Sequence, residues 1–170
     1  MRKIHILKAI IDFLWITLIV GYIVFFFLLT AFLLKVDWIS PDFTINEIPI
    51  KTMSLGTKFY LFLYFLLNGT LSMYCLSLFR KVIDLFKNKK PFDSLVIIHF
   101  QNIGTVLIFL TIVNLIYFFI YDLIKITEKG GKFLFPFSLF LFLALGFFFI
   151  ILSEVFKIAK TAKQENNLTI

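Results

Sequence analysis

Residues 13–34 read FLWITLIVGYIVFFFLLTAFLL, and this stretch contains no Lys, Arg, Asp or Glu. At about 1.5 Å of rise per residue, a helix of this length spans the ~30 Å hydrocarbon core of a bilayer. The stretch is apolar on nearly every face, whereas a surface helix of a soluble domain keeps one polar face. It therefore predicts a helix that crosses a membrane.

Three further runs share this composition and also lack the four charged residue types, and they cover residues 59–79, 103–121 and 133–152. The chain is 61% apolar, above the roughly 45–50% of ordinary soluble domains. We predict an all-α integral membrane protein, a four-helix transmembrane bundle with a short external loop between helices 1 and 2. No connecting segment is long enough to fold alone, so residues 1–170 are expected to form a single transmembrane domain.

Phenylalanine is unusually frequent, with 25 residues. A position that faces lipid accepts Phe as readily as Leu, so we interpret this abundance as a sign of membrane location rather than of an aromatic binding surface.

The basic residues are divided unevenly between the two sides of the predicted bundle. With four spans, both termini and the connection between spans 2 and 3 lie on one side. That side carries Arg2, Lys3, Lys8, Arg80, Lys81, Lys87, Lys89, Lys90, Lys157, Lys160 and Lys163. The other side carries Lys35, Lys51, Lys58, Lys125, Lys129 and Lys132. The positive-inside rule then places both termini in the cytoplasm. The basic residues are explained by topology and by contacts with lipid headgroups, and no direct binding of nucleic acid is expected.

Residues that carry enzymatic chemistry are scarce. His5 and His99 are the only imidazoles, and Cys75 is the only cysteine. Intramembrane proteases and ion pumps carry ionisable groups at bilayer depth, and the four apolar runs hold none. We therefore expect no enzymatic activity, no catalytic or metal site and no cofactor.

Four polar side chains inside the apolar runs admit two interpretations. Asn68 and Ser72 share one face of the second span, and Thr111 and Asn114 share one face of the third. Such groups line a polar pathway or form hydrogen bonds between helices. We favour packing, with the two Asn amides bonded to each other, to Ser72 or Thr111, or to a backbone carbonyl.

The two long connections carry different signals. In the external loop 36–58, residues 43–50 (FTINEIPI) are expected to form a short strand or to lie extended. In the segment 80–102, Pro91 breaks the helix because it has no amide hydrogen and restricts Lys90. Asp93 or Ser94 can then cap the next helix. Spans 2 and 3 are thus predicted to continue as a helical hairpin, with Phe92 packed against it.

Charged residues at the same side of the bundle suggest a ring of ion pairs. Asp12 and Glu154 both fall at the cytoplasmic ends of their predicted helices, where Arg80 and Lys81 end the second span. A ring that holds the helix ends in register is the structural interpretation. A docking surface for a cytoplasmic partner is the functional one.

Two stretches resemble a known family. The first combines residues 90–92 (KPF) with residues 102–104 (NIG), so it includes Lys90, Pro91, Phe92, Asn102 and Gly104; the second is the C-terminal QENNLTI at 164–170. With the four-span layout, these stretches resemble the YoaS-like family of small bacterial membrane proteins, a domain-of-unknown-function group. The chain departs from the family where Gln101-Asn102 replaces a basic residue before Ile-Gly and where Asn167 replaces an acidic residue before Leu-Thr. The resemblance implies no catalytic residues. Because family members are often encoded beside a helix-turn-helix regulator, it implies a regulatory partner.

These observations predict a non-enzymatic accessory or regulatory protein. It would contact the lipid bilayer and, through the 80–102 hairpin and the C-terminal tail, a cytoplasmic regulatory protein. The alternative is a small transporter or channel subunit that acts as a homo-oligomer, because four spans rarely enclose a pathway alone.

Overall fold

The computed structural model describes residues 2–33, 44–45, 48–49, 53–129 and 137–168, with side chains described over 4–31, 53–121 and 137–166. The described residues contain four long helices, which are α1 (Arg2–Leu33), α2 (Leu55–Lys87), α3 (Ser94–Lys129) and α4 (Ser138–Leu168). Each helix contains a segment long and apolar enough to cross a membrane. The predicted all-α, four-helix transmembrane architecture is confirmed.

The helices extend beyond the apolar runs because polar residues continue the helical turns once the chain has left the hydrocarbon. The fourth run differs at its start, since α4 begins at Ser138 and Phe137 lies in a turn. Residues 133–136, which belong to the predicted fourth run, lie outside the described residues. Hydropathy therefore located an apolar segment but not the first residue of its helix.

In the loop between α1 and α2, two short strands pair with each other. β1 (Thr44–Ile45) runs antiparallel to β2 (Ile48–Pro49), with Thr44 opposite Pro49 and Ile45 opposite Ile48. This pairing agrees with the short strand expected in residues 43–50.

Consecutive helices are antiparallel neighbours, so that α1 packs on α2, α2 on α3 and α3 on α4. The turn end is the end of the bundle where α1 and α3 begin and where α2 and α4 end. The loop end is the opposite one. Helices α2 and α4 run parallel and meet in the turn half, where the ring of Phe79 lies 5.9 Å from that of Phe149.

The most buried residues are also in the turn half, between α2, α3 and α4. Val82, Val96 and Ile103 are at most 2% exposed, and Phe100 and Leu78 belong to the same cluster. Many of the other large apolar side chains are exposed, as expected for membrane helices whose outer faces are covered by lipid. The turn end is therefore the most firmly packed part of the molecule.

Glycines allow α3 and α4 to approach each other most closely. A Cβ atom on Gly104 would lie 2.6 Å from the carbonyl oxygen of Gly146, and one on Gly146 would lie 2.7 Å from Cγ1 of Ile108. Small residues permit this kind of close helix crossing in membranes. Gly104 is thus placed at the α3–α4 crossing.

Candidate functional site

The turn between α2 and α3 is held by its own backbone. The amide of Lys90 donates to the carbonyl of Leu85 at 2.9 Å, and the amide of Lys89 donates to the carbonyl of Phe86 at 3.1 Å. These two bonds form a Schellman motif, in which the residue after the helix cap adopts the left-handed conformation. That residue is Lys89, with a φ angle of 57°.

The start of α3 follows directly. Oδ1 of Asp93 accepts a hydrogen bond from the amide of Leu95 at 3.0 Å, which satisfies a free donor of the first helical turn. Of the two residues expected to cap α3, Asp93 is the one that does so. Pro91 is half-buried between these two backbone motifs, and Lys90 is exposed beside it.

Aromatic rings join this turn to the last part of α4. The ring of Phe156 on α4 lies 5.9 Å from Phe86, 5.3 Å from Phe100 and 6.2 Å from Phe92. Nζ of Lys163, two helical turns further along α4, lies 5.2 Å from the centre of the Phe92 ring. Phe92 was expected to pack on the α2–α3 hairpin, but the contacts that the structure shows for its ring are with Phe156 and Lys163 of α4. The turn and the end of α4 therefore form a single surface.

Two ion pairs attach α1 to α2 at the same end. Arg80 donates from Nε to Oδ1 of Asp12 at 2.6 Å, and its guanidinium also lies 4.3 Å from the centre of the Trp15 ring. Lys8 donates to Asp84 one helical turn further out. The predicted pairing of Asp12 with Arg80 is thus present in the structure.

The predicted pairing of Glu154 is not found. Phe156 meets Phe86 across parallel helices, so Glu154 lies at the level of Asp84, about one turn further out than Arg80. It also lies on the opposite face of α4 from Phe156, because two residues correspond to about 200° around a helix. Glu154 is exposed in a shallow groove with Lys157 and Ile158, and none of the described residues forms an ion pair with it.

The remaining predicted residue of this region is Asn102. It is half-buried on α3, two positions before Gly104. Its side chain makes no hydrogen bond within the described part of the chain, so the structure shows no structural role for its amide.

The intramembrane amides are connected through a tyrosine. The hydroxyl of Tyr64 donates to Oδ1 of Asn114 at 2.7 Å and also interacts with the side chain of Asn68. Nδ2 of Asn114 donates to the carbonyl of Leu110 at 2.7 Å, so the predicted bond to a backbone carbonyl is present. The bond between the two amides, another of the predicted alternatives, is not found among the described residues, where Asn114 bonds to Tyr64 and Leu110 instead.

The two hydroxyls predicted beside these amides behave differently. Thr111 is buried and donates to the carbonyl of Leu107 in its own helix at 2.9 Å. Ser72 forms no hydrogen bond within the described residues. It lines a groove of about 400 Å³ between α1 and α2, together with Asn68, Tyr22 and Gly21. Asn68 and Ser72 therefore face this groove rather than α3.

Sequence reasoning missed several residues that the structure brings into these sites. Tyr64 precedes Asn68 by four positions, and this spacing indicates that the two side chains lie on the same face of the helix. Asp84 follows Arg80 by four positions, just as Asp12 follows Lys8 in α1. No signal in the sequence connected Phe156 and Lys163 with Phe92, because that contact depends on how α4 is rotated against the turn.

Among the described residues, no group of three or more His, Cys, Asp or Glu side chains could hold a metal ion. A family model described as "Protein of unknown function (DUF2975)" matches residues 5–170, so the chain belongs to this family. No curated protein and no solved structure shows a significant match. The resemblance to a family of unknown function is confirmed, while the YoaS-like name and the bacterial origin stay predictions.

Proposed function

We propose that this member of the DUF2975 family is a non-enzymatic accessory protein of the bacterial inner membrane. Residues 1–170 form one transmembrane domain with both termini in the cytoplasm, in keeping with the excess of Lys and Arg at the turn end. The protein contacts a cytoplasmic regulatory protein through the turn of the 80–102 hairpin and the last part of α4.

One observation carries this proposal: the aromatic cluster around Phe156 fixes the turn against α4. Two segments that are about 70 residues apart in the chain thereby present a common surface. This turn-end surface is defined by Lys89, Lys90, Phe92, Lys160 and Lys163. On this surface the ring of Phe92 offers the aromatic contact that is enriched at protein interfaces, and the lysines supply positive charge that complements an acidic partner.

The distance from the membrane favours a protein over lipid headgroups. The second apolar run ends at Phe79, so Arg80 marks the edge of the hydrocarbon on α2. Because Phe79 contacts Phe149, Ile150 of α4 lies at the same level. At ~1.5 Å per residue, α2 reaches about 10 Å beyond this level at Lys87, and α4 reaches about 20 Å at Lys163. The headgroup layer is roughly 5–8 Å thick on each side. The turn-end surface therefore projects into water.

The test is site-specific photocrosslinking in living cells. A photoreactive amino acid replaces Asn88 or Lys160 at the turn end, and Leu55, which is 67% exposed at the loop end, is the matched control position. We expect both turn-end positions to capture the same protein and Leu55 not to capture it. Capture of no protein at either turn-end position would overturn the proposal.

A second candidate function, a subunit of an oligomeric transporter or channel, is favoured by the groove between α1 and α2. Asn68 and Ser72 place polar groups in this groove at mid-membrane depth, where an unsatisfied polar group is costly. Reconstituted vesicles decide between the two candidates. An ion flux that Asn114→Leu or Ser72→Ala abolishes in folded protein would support the transporter, and vesicles that stay impermeable would support the accessory protein.

A further inference from the structure

The backbone at Lys89 is in a conformation that costs free energy. Lys89 is the only non-glycine residue with a positive φ angle in the part of the chain that the structure describes. It occupies the position of the Schellman motif where glycine is usual and asparagine is the common substitute. In the left-handed region a Cβ atom crowds the carbonyl that follows it. A glycine at this position would form the same turn with less strain.

Nothing within the described residues compensates this cost. The side chain of Lys89 is exposed, and its ammonium group makes no ion pair, hydrogen bond or ring contact there. Only its backbone amide is used, in the bond to Phe86, and a glycine would donate that bond equally well. Strained residues of this kind concentrate at functional sites.

The charge around Lys89 indicates what its side chain binds. Lys90, Lys160 and Lys163 share its surface, whereas the carboxylates of Asp84 and Asp93 already have other partners. Asp84 is paired with Lys8, and Asp93 caps α3. Its four lysines outnumber the carboxylate of Asp93, so the turn-end surface has a net positive charge, which attracts and orients an acidic partner.

We propose that Lys89 is a contact residue whose ammonium group binds a carboxylate on an acidic protein surface. This inference rests on the proposed function and adds the chemistry of the partner. It also explains why the turn carries a lysine where glycine would be more stable, since the side chain acts in binding and not in folding.

The test uses the full chain in discs of phosphatidylcholine, a lipid without net charge. The probe is a fluorescent helical peptide composed of Glu, Leu and Ala. We compare wild-type protein with Lys89→Gly, Lys89→Asn and Lys89→Arg. The control is Lys157→Gln, which removes an exposed charge on α4 outside the turn-end surface.

We expect Lys89→Gly and Lys89→Asn to raise the thermal unfolding midpoint and to weaken peptide binding by about 1.5-fold to fivefold, the range for one exposed charge pair. Lys89→Arg and Lys157→Gln should bind as the wild type does. Unchanged binding by Lys89→Gly would overturn the inference. A lowered midpoint would also overturn it, because the side chain would then be structural. If the effect of Lys89→Gly appeared only in discs with anionic lipid, the surface would bind headgroups and the inference would be wrong.

Photocrosslinking separates this inference from the proposed function. If Asn88 captures a protein and Lys89→Gly leaves the yield unchanged, only the role of Lys89 is refuted. If wild-type protein captures nothing at the turn end, the proposed function fails as well.

Discussion

The α3–α4 interface and the α1–α2 interface hold their helices in different ways. In the 18-residue apolar stretch that allows each helix to span a membrane, 28% of the residues are buried in α3 but only 6% in α1. At the α3–α4 crossing, Gly104 lies against the backbone of Gly146. Helix α1, in contrast, meets α2 through side chains such as Phe25, whose ring lies 3.6 Å from that of Phe65.

This difference shows that apolar helices of similar length need not be equally integrated into a bundle. Lipid is as apolar as a leucine side chain, so apolar surface alone does not draw one membrane helix onto another. Close backbone packing attaches α4, whereas ion pairs and aromatic rings attach α1. An added methyl group at the first interface therefore meets backbone atoms, whereas at the second interface it meets side chains, such as the ring of Tyr22 opposite Gly69.

The largest effect is expected for Gly104→Ala. The added methyl group would lie 2.6 Å from the Gly146 carbonyl oxygen and 3.0 Å from the Ile150 amide nitrogen, so the two helices must separate. We expect a loss of about 1–3 kcal/mol in the free energy of unfolding in detergent.

Gly21→Ala on α1 is the matched control, because nothing lies within 4 Å of its added Cβ. It should be neutral or stabilise the helix by up to about 1 kcal/mol. Equal losses for the two variants would show that the interfaces do not differ as described.

A smaller effect is expected for Asn114→Leu, which probes the α2–α3 interface between these two extremes. It removes the acceptor of the Tyr64 hydroxyl and should lower the free energy of unfolding by about 1 kcal/mol. A double-mutant cycle with Tyr64→Phe should show coupling. If the cycle shows none, the hydrogen bond contributes nothing to stability.

The smallest effect is expected for Asp12→Asn, which breaks the ion pair with Arg80. Both side chains are about one-third exposed, so solvent screens their attraction and the loss should not exceed about 1 kcal/mol. The loss should shrink further in 1 M salt, where the screening length is about 3 Å. A cycle between Asp12 and Arg80 should show coupling, whereas one between Glu154 and Arg80 should not. The reverse pattern would place α4, rather than α1, at Arg80.

The fold was predictable from the sequence as far as it depends on local chemistry. Lipid requires long apolar helices, Pro91 marks the break between α2 and α3, and Asp93 caps α3 through its side chain. Contacts between helices depend on how each helix is rotated about its axis, and apolar runs carry little information about that rotation. For this reason the sequence placed Asp12 and Glu154 near the level of Arg80 and Lys81, but among the described residues only the pair of Asp12 with Arg80 is present, and Tyr64 was missed.

The side of the membrane on which the turn end lies can be measured directly by cysteine labelling. In a Cys75→Ser background, Asn88→Cys reports on the turn end, and Leu55→Cys reports on the loop end. A membrane-impermeant maleimide is added to intact cells, and the labelling is repeated after permeabilisation. We predict that intact cells label Leu55→Cys only and that Asn88→Cys reacts only after permeabilisation. Labelling of Asn88→Cys in intact cells would place the turn-end surface outside the cytoplasm and contradict its role as a contact for a cytoplasmic protein.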